Sequence, residues 1–198
     1  MRNILFTLAL LVSFSSCRQT SFEYFERGFA KDNLKDHSGA IADYTKAIEI
    51  DPDYALAYNN RGFAKDNLED YNGAIRDYTK AIELDPNYAD AYYNRGFVKR
   101  ILEDYNGAIR DYTKAIELDP AADAYNNRGI AKYKLKDHYG AIRDFTKAIE
   151  LDPAADTYYN RGIAKYKLKD YNGACSDWKK AANLGHTNSA KWVANQCN

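Results

Sequence analysis

Small and apolar residues recur three and four positions apart along this chain, and the phase shifts where a turn intervenes. Between residues 55 and 84, Tyr58, Gly62 and Lys65 share one face of a first segment, and Ala74, Tyr78, Ala81 and Ile82 share one face of a second. Each set has the 3.6-residue period of an amphipathic helix, which predicts helices over roughly Ala55 to Asn67 and Asn72 to Leu84. Asp70-Tyr71-Asn72-Gly73 reads as the turn between them, with Gly73 meeting its backbone demands. Pro86 disfavours helical geometry at Asp85 and ends the second helix. Gly62, Ala74 and Ala81 carry little or no side chain, so the two helices can approach closely, with Tyr58 and Tyr78 filling the gaps beside them.

The hairpin then repeats. Arg-Gly recurs at Arg27-Gly28, Arg61-Gly62, Arg95-Gly96, Arg128-Gly129 and Arg161-Gly162, in steps of 34, 34, 33 and 33 residues. Asp-Pro recurs in the same phase at Pro52, Pro86, Pro120 and Pro153. The shorter steps lose one residue just after Pro120 and Pro153, in a loop, where a deletion leaves both helical registers intact. One hairpin cannot bury its own apolar face, so neighbours must stack. An aspartate lies sixteen residues after each repeat arginine, at Asp43, Asp77, Asp111, Asp144 and Asp177, which predicts an Arg-Asp pair inside each unit. The competing arrangement pairs each aspartate with Lys80 or its equivalents on the same helix.

A period of 34 with Tyr58, Gly62, Ala74, Tyr78, Ala81 and Pro86 in phase resembles the tetratricopeptide repeat. The resemblance implies an all-α, right-handed solenoid of five helix-turn-helix units, at about 21–54, 55–88, 89–121, 122–154 and 155–188. Arg61 and Lys65 depart from it, standing where Leu and Tyr are common. The last unit changes character: Cys175 and Trp178 replace Ile and Tyr, and the helix ends at Leu184-Gly185. Residues 189–198 then read as a capping helix anchored by Trp192, which a solenoid end needs for solubility. Antiparallel stacking brings Cys175 opposite Cys197, and an oxidising compartment would join them in a disulfide; two buried thiols that simply pack are the alternative.

The N-terminus has a different texture. Met1-Arg2-Asn3 is a positive start, Ile4 to Val12 is apolar, and Ser13 to Cys17 is a stretch of small residues broken by Phe14. That is the layout of an export signal over residues 1–16. Nine apolar residues reach about 14 Å as a helix, short of the ~30 Å a bilayer core demands. Phe14-Ser15-Ser16-Cys17 resembles a bacterial lipobox, which would make Cys17 a lipidation site, residues 17–20 a short linker, and the chain a membrane-anchored lipoprotein of the bacterial envelope. An ordinary signal cleaved nearby leaves instead a soluble secreted or periplasmic accessory subunit that presents substrates to an enzyme.

Charge and chemistry narrow the function. Lys+Arg and Asp+Glu both number 28, so the chain has no basic excess with which to bind nucleic acid. His37 and His138 occupy positions held by Tyr in other units, and His186 stands alone. No metal-ligand spacing, phosphate-cradling loop or nucleophile motif is present, so the sequence predicts no enzyme, metal, cofactor or small-molecule substrate. The resemblance instead implies a protein or peptide partner, received by a concave groove lined by the first helix of each unit. Its sixth position gives Asn60, Asn94, Asn127 and Asn160, whose amides can donate to and accept from a peptide backbone. Phe63, Tyr93, Phe97, Tyr133, Tyr159 and Tyr166 lie around them and offer contact area. Asp90, Asp123 and Asp156 at the second position would repel the terminal carboxylate that chaperone-tail clamps of this family grip. Identical residues also persist through recent duplication, so recurrence by itself marks no contact.

Overall fold

The computed structural model describes residues 19–197, so the signal-like residues 1–16 and the candidate lipidation site Cys17 lie outside the described residues. Eleven helices follow one another with no strand among those residues: α1 (Ser21–Asn33), α2 (His37–Ile50), α3 (Ala55–Asn67), α4 (Tyr71–Leu84), α5 (Ala89–Ile101), α6 (Tyr105–Leu118), α7 (Ala122–Lys134), α8 (His138–Leu151), α9 (Ala155–Lys167), α10 (Tyr171–Asn183) and α11 (Thr187–Gln196). Consecutive helices pack pairwise from α1 to α11, which makes five hairpins and a cap stacked in series. The odd-numbered helices also touch one another from unit to unit, and no comparable contact joins the even-numbered ones. The odd helices therefore form the tighter, inner wall of the stack. Among the described residues no helix is long and apolar enough to cross a membrane.

Each hairpin closes around a small residue. A Cβ on Gly62 would meet the Tyr78 ring at 2.8 Å, and one on Gly129 would meet the Phe145 ring at 2.7 Å. Tyr44, Tyr78, Tyr112, Phe145 and Trp178 are accordingly buried against Gly28, Gly62, Gly96, Gly129 and Gly162, one ring per unit.

Two boundaries differ from the sequence reading. The backbone reverses before Asp70, not across Asp70 to Gly73: Lys35, Glu69, Glu103, Lys136 and Lys169 take the left-handed conformation, with φ between 62° and 65°. Asp70 is the N-cap of α4 and its carboxylate accepts the Gly73 N–H at 2.9 Å. Gly73 is needed because a Cβ there would collide with the capping carboxylate, and the same holds for Gly39, Gly107, Gly140 and Gly173. The capping helix runs from Thr187 to Gln196 rather than over 189–198, because His186 is its N-cap and accepts the Ser189 N–H through Nδ1 at 3.1 Å. Cys175 and Cys197 are joined by a disulfide that pins the end of α11 to the start of α10. Beneath it Trp192 packs on Trp178, ring centroids 4.9 Å apart.

Candidate partner-binding groove

Fivefold ion pairing sets the spacing of the inner wall. Arg61 Nε and Nη2 donate to the two carboxylate oxygens of Asp77 at 2.9 and 2.7 Å, a bidentate fork repeated at Arg27–Asp43, Arg95–Asp111, Arg128–Asp144 and Arg161–Asp177. A lysine four residues on joins each carboxylate, as Lys65 does Asp77 at 2.6 Å. Lys80 takes the other course and pairs with Glu83 at 3.6 Å. The third nitrogen leaves the unit: Nη1 of Arg61, Arg95, Arg128 and Arg161 donates to Thr45, Thr79, Thr113 and Thr146 of the preceding hairpin at 3.0–3.1 Å. Among the described residues no hairpin precedes Arg27, and its side chain is 44% exposed against 15% for Arg61.

The asparagines lie on the inner wall and also bond from unit to unit. Asn94 Nδ2 donates to Asn59 Oδ1 at 3.2 Å, Asn127 Nδ2 to the Tyr93 hydroxyl at 3.1 Å, and Asn160 Nδ2 to Asn126 Oδ1 at 3.4 Å. Asn60 accepts from Asn59. Each of these amides is thus partly engaged by a neighbouring side chain and keeps only its remaining hydrogen-bonding capacity for a partner. Asn59 and Asn126, one position earlier in their helices, complete the ladder as the acceptors for Asn94 and Asn160.

The aromatic residues divide along the wall. Phe63 is 46% exposed and Phe29, in the equivalent place, 47%. Phe97 is half-buried with the Arg100 guanidinium 4.9 Å from its ring centre. Tyr93 packs on Tyr112 at 5.7 Å and Tyr133 on His138 at 5.1 Å. Tyr159 stacks on His186 at 4.3 Å, and Tyr166 meets Trp178 and Trp192, so the cap takes part of the surface of both. Burial pushes the phenol of Tyr93 up from its ordinary range, with Asp123 adding to the effect.

The rims carry opposite charge in the C-terminal half. Asp90, Asp123 and Asp156 are exposed near the N-terminal ends of α5, α7 and α9, and Lys134 and Lys167 are exposed at the far ends of α7 and α9. Asp123 and Lys134 stand eleven positions apart on α7, about 16 Å. Ile130 and Ile163 lie between these rims on α7 and α9, and Phe97 and Phe63 continue the apolar row onto α5 and α3. Among the described residues no group of three or more His, Cys, Asp or Glu side chains converges as a metal site.

Comparison with known proteins places this geometry. Repeat models described as TPR repeat match residues 34–66 and 67–100, and ones described as tetratricopeptide repeat match 89–121 and 122–154. No curated protein sequence gives a significant match. A crystal structure of MamA protein superposes with a TM-score of 0.77 at 26% identity, over 89% of this chain and 95% of that one. The crystal structure of YrrB, described as a TPR protein with an unusual peptide-binding site, superposes with a TM-score of 0.77 at 24% identity, over 89% and 93%. A MamA fragment from Desulfovibrio magneticus RS-1 does so with a TM-score of 0.78 at 22% identity, over 83% and 94%.

Proposed function

The chain belongs to the tetratricopeptide-repeat family, and from that premise we propose that it is a non-catalytic scaffold which binds a polypeptide partner along the inner wall of α1, α3, α5, α7 and α9. The observation that carries this reading is the composition of that wall. An apolar row begins at the exposed Phe63 on α3 and runs on between an aspartate rim and a lysine rim on α7 and α9, at a width that admits an extended chain or a helix of about 10 Å diameter. Complementary rims give register and steering, and the exposed and half-buried rings give contact area.

Cross-linking to the native partner tests the groove. Phe63→Glu combined with Lys134→Glu and Lys167→Glu changes only exposed side chains, so the fold is retained. Capture is expected to fall at least about tenfold, as loss of an aromatic contact and two charge contacts requires; undiminished capture moves the surface elsewhere.

The scaffold acts, on this proposal, at the bacterial envelope as a lipoprotein tethered through Cys17. The signal-like residues 1–16 support export, and the Cys175–Cys197 disulfide is of a kind that persists in oxidising compartments. Metabolic acyl labelling checks the tether: the wild-type chain takes up label and Cys17→Ser does not, whereas an unlabelled wild type leaves a soluble exported protein.

A further inference from the structure

Tyr54 and Tyr88 stand at the N-cap positions of α3 and α5, immediately before each inner helix begins. In the first junction the Tyr54 ring lies against Phe25 of the preceding unit, centroids 5.2 Å apart. In the second, Tyr88 is sunk deeply enough that burial, then Asp90 and Asp85 beside it, push its phenol up to about 12. The third junction is built on a loop shorter by one residue, and Ala121 holds the N-cap position of α7. The slot that a tyrosine ring fills in the earlier junctions is open here, as a cavity of about 200 Å³. Ala115, Ala121 and Ala124 form its apolar floor, and Tyr93 lies where Phe25 lies in the first junction.

Charge tells what the slot suits. Asp119 and Asp123 line it in the places where Asp85 and Asp90 flank Tyr88, and Asp90 of the preceding unit adds a third carboxylate. The first two loops use their aspartates internally: Asp51 accepts the Asp53 N–H and Asp85 the Asn87 N–H. With the loop shortened, the Asp119 side chain has no hydrogen-bond partner among the described residues. All three carboxylates are exposed, so they give the slot a negative potential that repels an anion and draws a cation. A planar cation satisfies both walls, because guanidinium stacks on a tyrosine face and forks onto carboxylates.

We propose that this cavity is a specificity pocket for one arginine side chain of the polypeptide partner, opened by the shortened loop between α6 and α7. The inference rests on the groove reading, since Asp90, Tyr93 and Asp123 lie on the same inner wall, and it names what that wall selects. Arginine enters with its methylenes over the alanines, its guanidinium against Tyr93 and its N–H groups donating to Asp119 and Asp123.

Acetyl-arginine amide, titrated into the full-length protein while the alanine methyl resonances are followed, tests it. Saturable shifts are expected at Ala115, Ala121 and Ala124. Acetyl-citrulline amide, equal in shape but uncharged, is expected to bind about tenfold more weakly or worse. Ala121→Tyr restores the ring that the first two junctions carry and is expected to abolish the shifts, and Asp119→Asn/Asp123→Asn to weaken them without touching the floor. Equal response to citrulline, absence of saturable shifts, or undiminished response in Ala121→Tyr overturns the pocket. Partner capture separates the two readings. If the rim substitutions abolish capture and arginine still fails to bind, the pocket alone falls; if capture survives the rim substitutions, the groove falls.

Discussion

Single residues decide the stability of each junction through one buried carboxylate. Asp77 is 5% exposed and held by Arg61 and Lys65. Replacing Arg61 with leucine, the residue common in this family at that place, leaves the carboxylate with Lys65 alone and removes the bridge to Thr45. Urea unfolding is expected to show a loss of about 2–3 kcal/mol, and Arg61→Leu/Asp77→Leu to recover part of it, because the penalty is a buried carboxylate left with one of its two cations. Two other carboxylates pull in opposite directions with pH. The hydrogen bond from the Arg27 guanidinium holds Asp43 below the ordinary carboxylate range. Its contribution is therefore present above the unfolded pKa of about 3.9 and lost as pH falls through the lower folded value. Half-burial raises Asp66, so its ionised form weakens the fold, and the associated stability is present below the unfolded pKa and lost as pH rises through the folded value. Asp66→Asn should raise the urea midpoint at pH 7 and leave it unchanged near pH 3; an unchanged midpoint at pH 7 counts against the burial penalty.

At the scale of elements, each hairpin reverses through a charged residue in a conformation that glycine prefers. Glu69 and its four counterparts are all Lys or Glu at positive φ. Left-handed backbone costs a β-carbon residue about 1 kcal/mol, and glycine there removes the strain at some cost in chain entropy. Glu69→Gly is thus expected to stabilise by about 0.5 kcal/mol. Gly73→Ala, only four residues on, is expected to cost about 1 kcal/mol or more by displacing the Asp70 cap. Thermal melts of the pair check both signs. The contrast is informative because glycine and non-glycine sit opposite to where turn propensity puts them.

The whole molecule is a one-dimensional stack, so a disturbance at one end is felt mainly by its neighbours. The Cys175–Cys197 disulfide closes a loop of sequence separation 22 and ties the cap to the fifth hairpin. Reducing it should lower stability by about 3 kcal/mol on chain-entropy grounds. The loss should concentrate in α10 and α11, with faster amide exchange there, altered tryptophan emission from Trp178 and Trp192, and unchanged protection in α3 to α6. Uniform loss of protection along the chain would show that the array unfolds as one unit. The first hairpin has the opposite weakness. Arg27 lacks the threonine that every later repeat arginine receives, and in its place Nη1 donates to Gln19 at 3.2 Å.

The hairpins, their order and the Arg-Asp pairs were legible in the sequence, because each depends on residues a fixed, short distance apart on helices whose period is dictated by the backbone. The close approach at Gly62 was legible for the same reason, since a missing side chain opposite a tyrosine has one consequence in a packed pair. Part of the inter-unit chemistry was visible but unread: Thr45, Thr79, Thr113 and Thr146 recur in phase and stop at Lys179, where no further arginine follows. The rest belongs to tertiary structure. Which nitrogen of Asn94 reaches Asn59, and whether losing one residue before Ala121 closes a junction or opens a cavity, depend on the rise and rotation from one hairpin to the next. That superhelical step is set by side chains more than thirty residues apart meeting across the stack, and no local period encodes it.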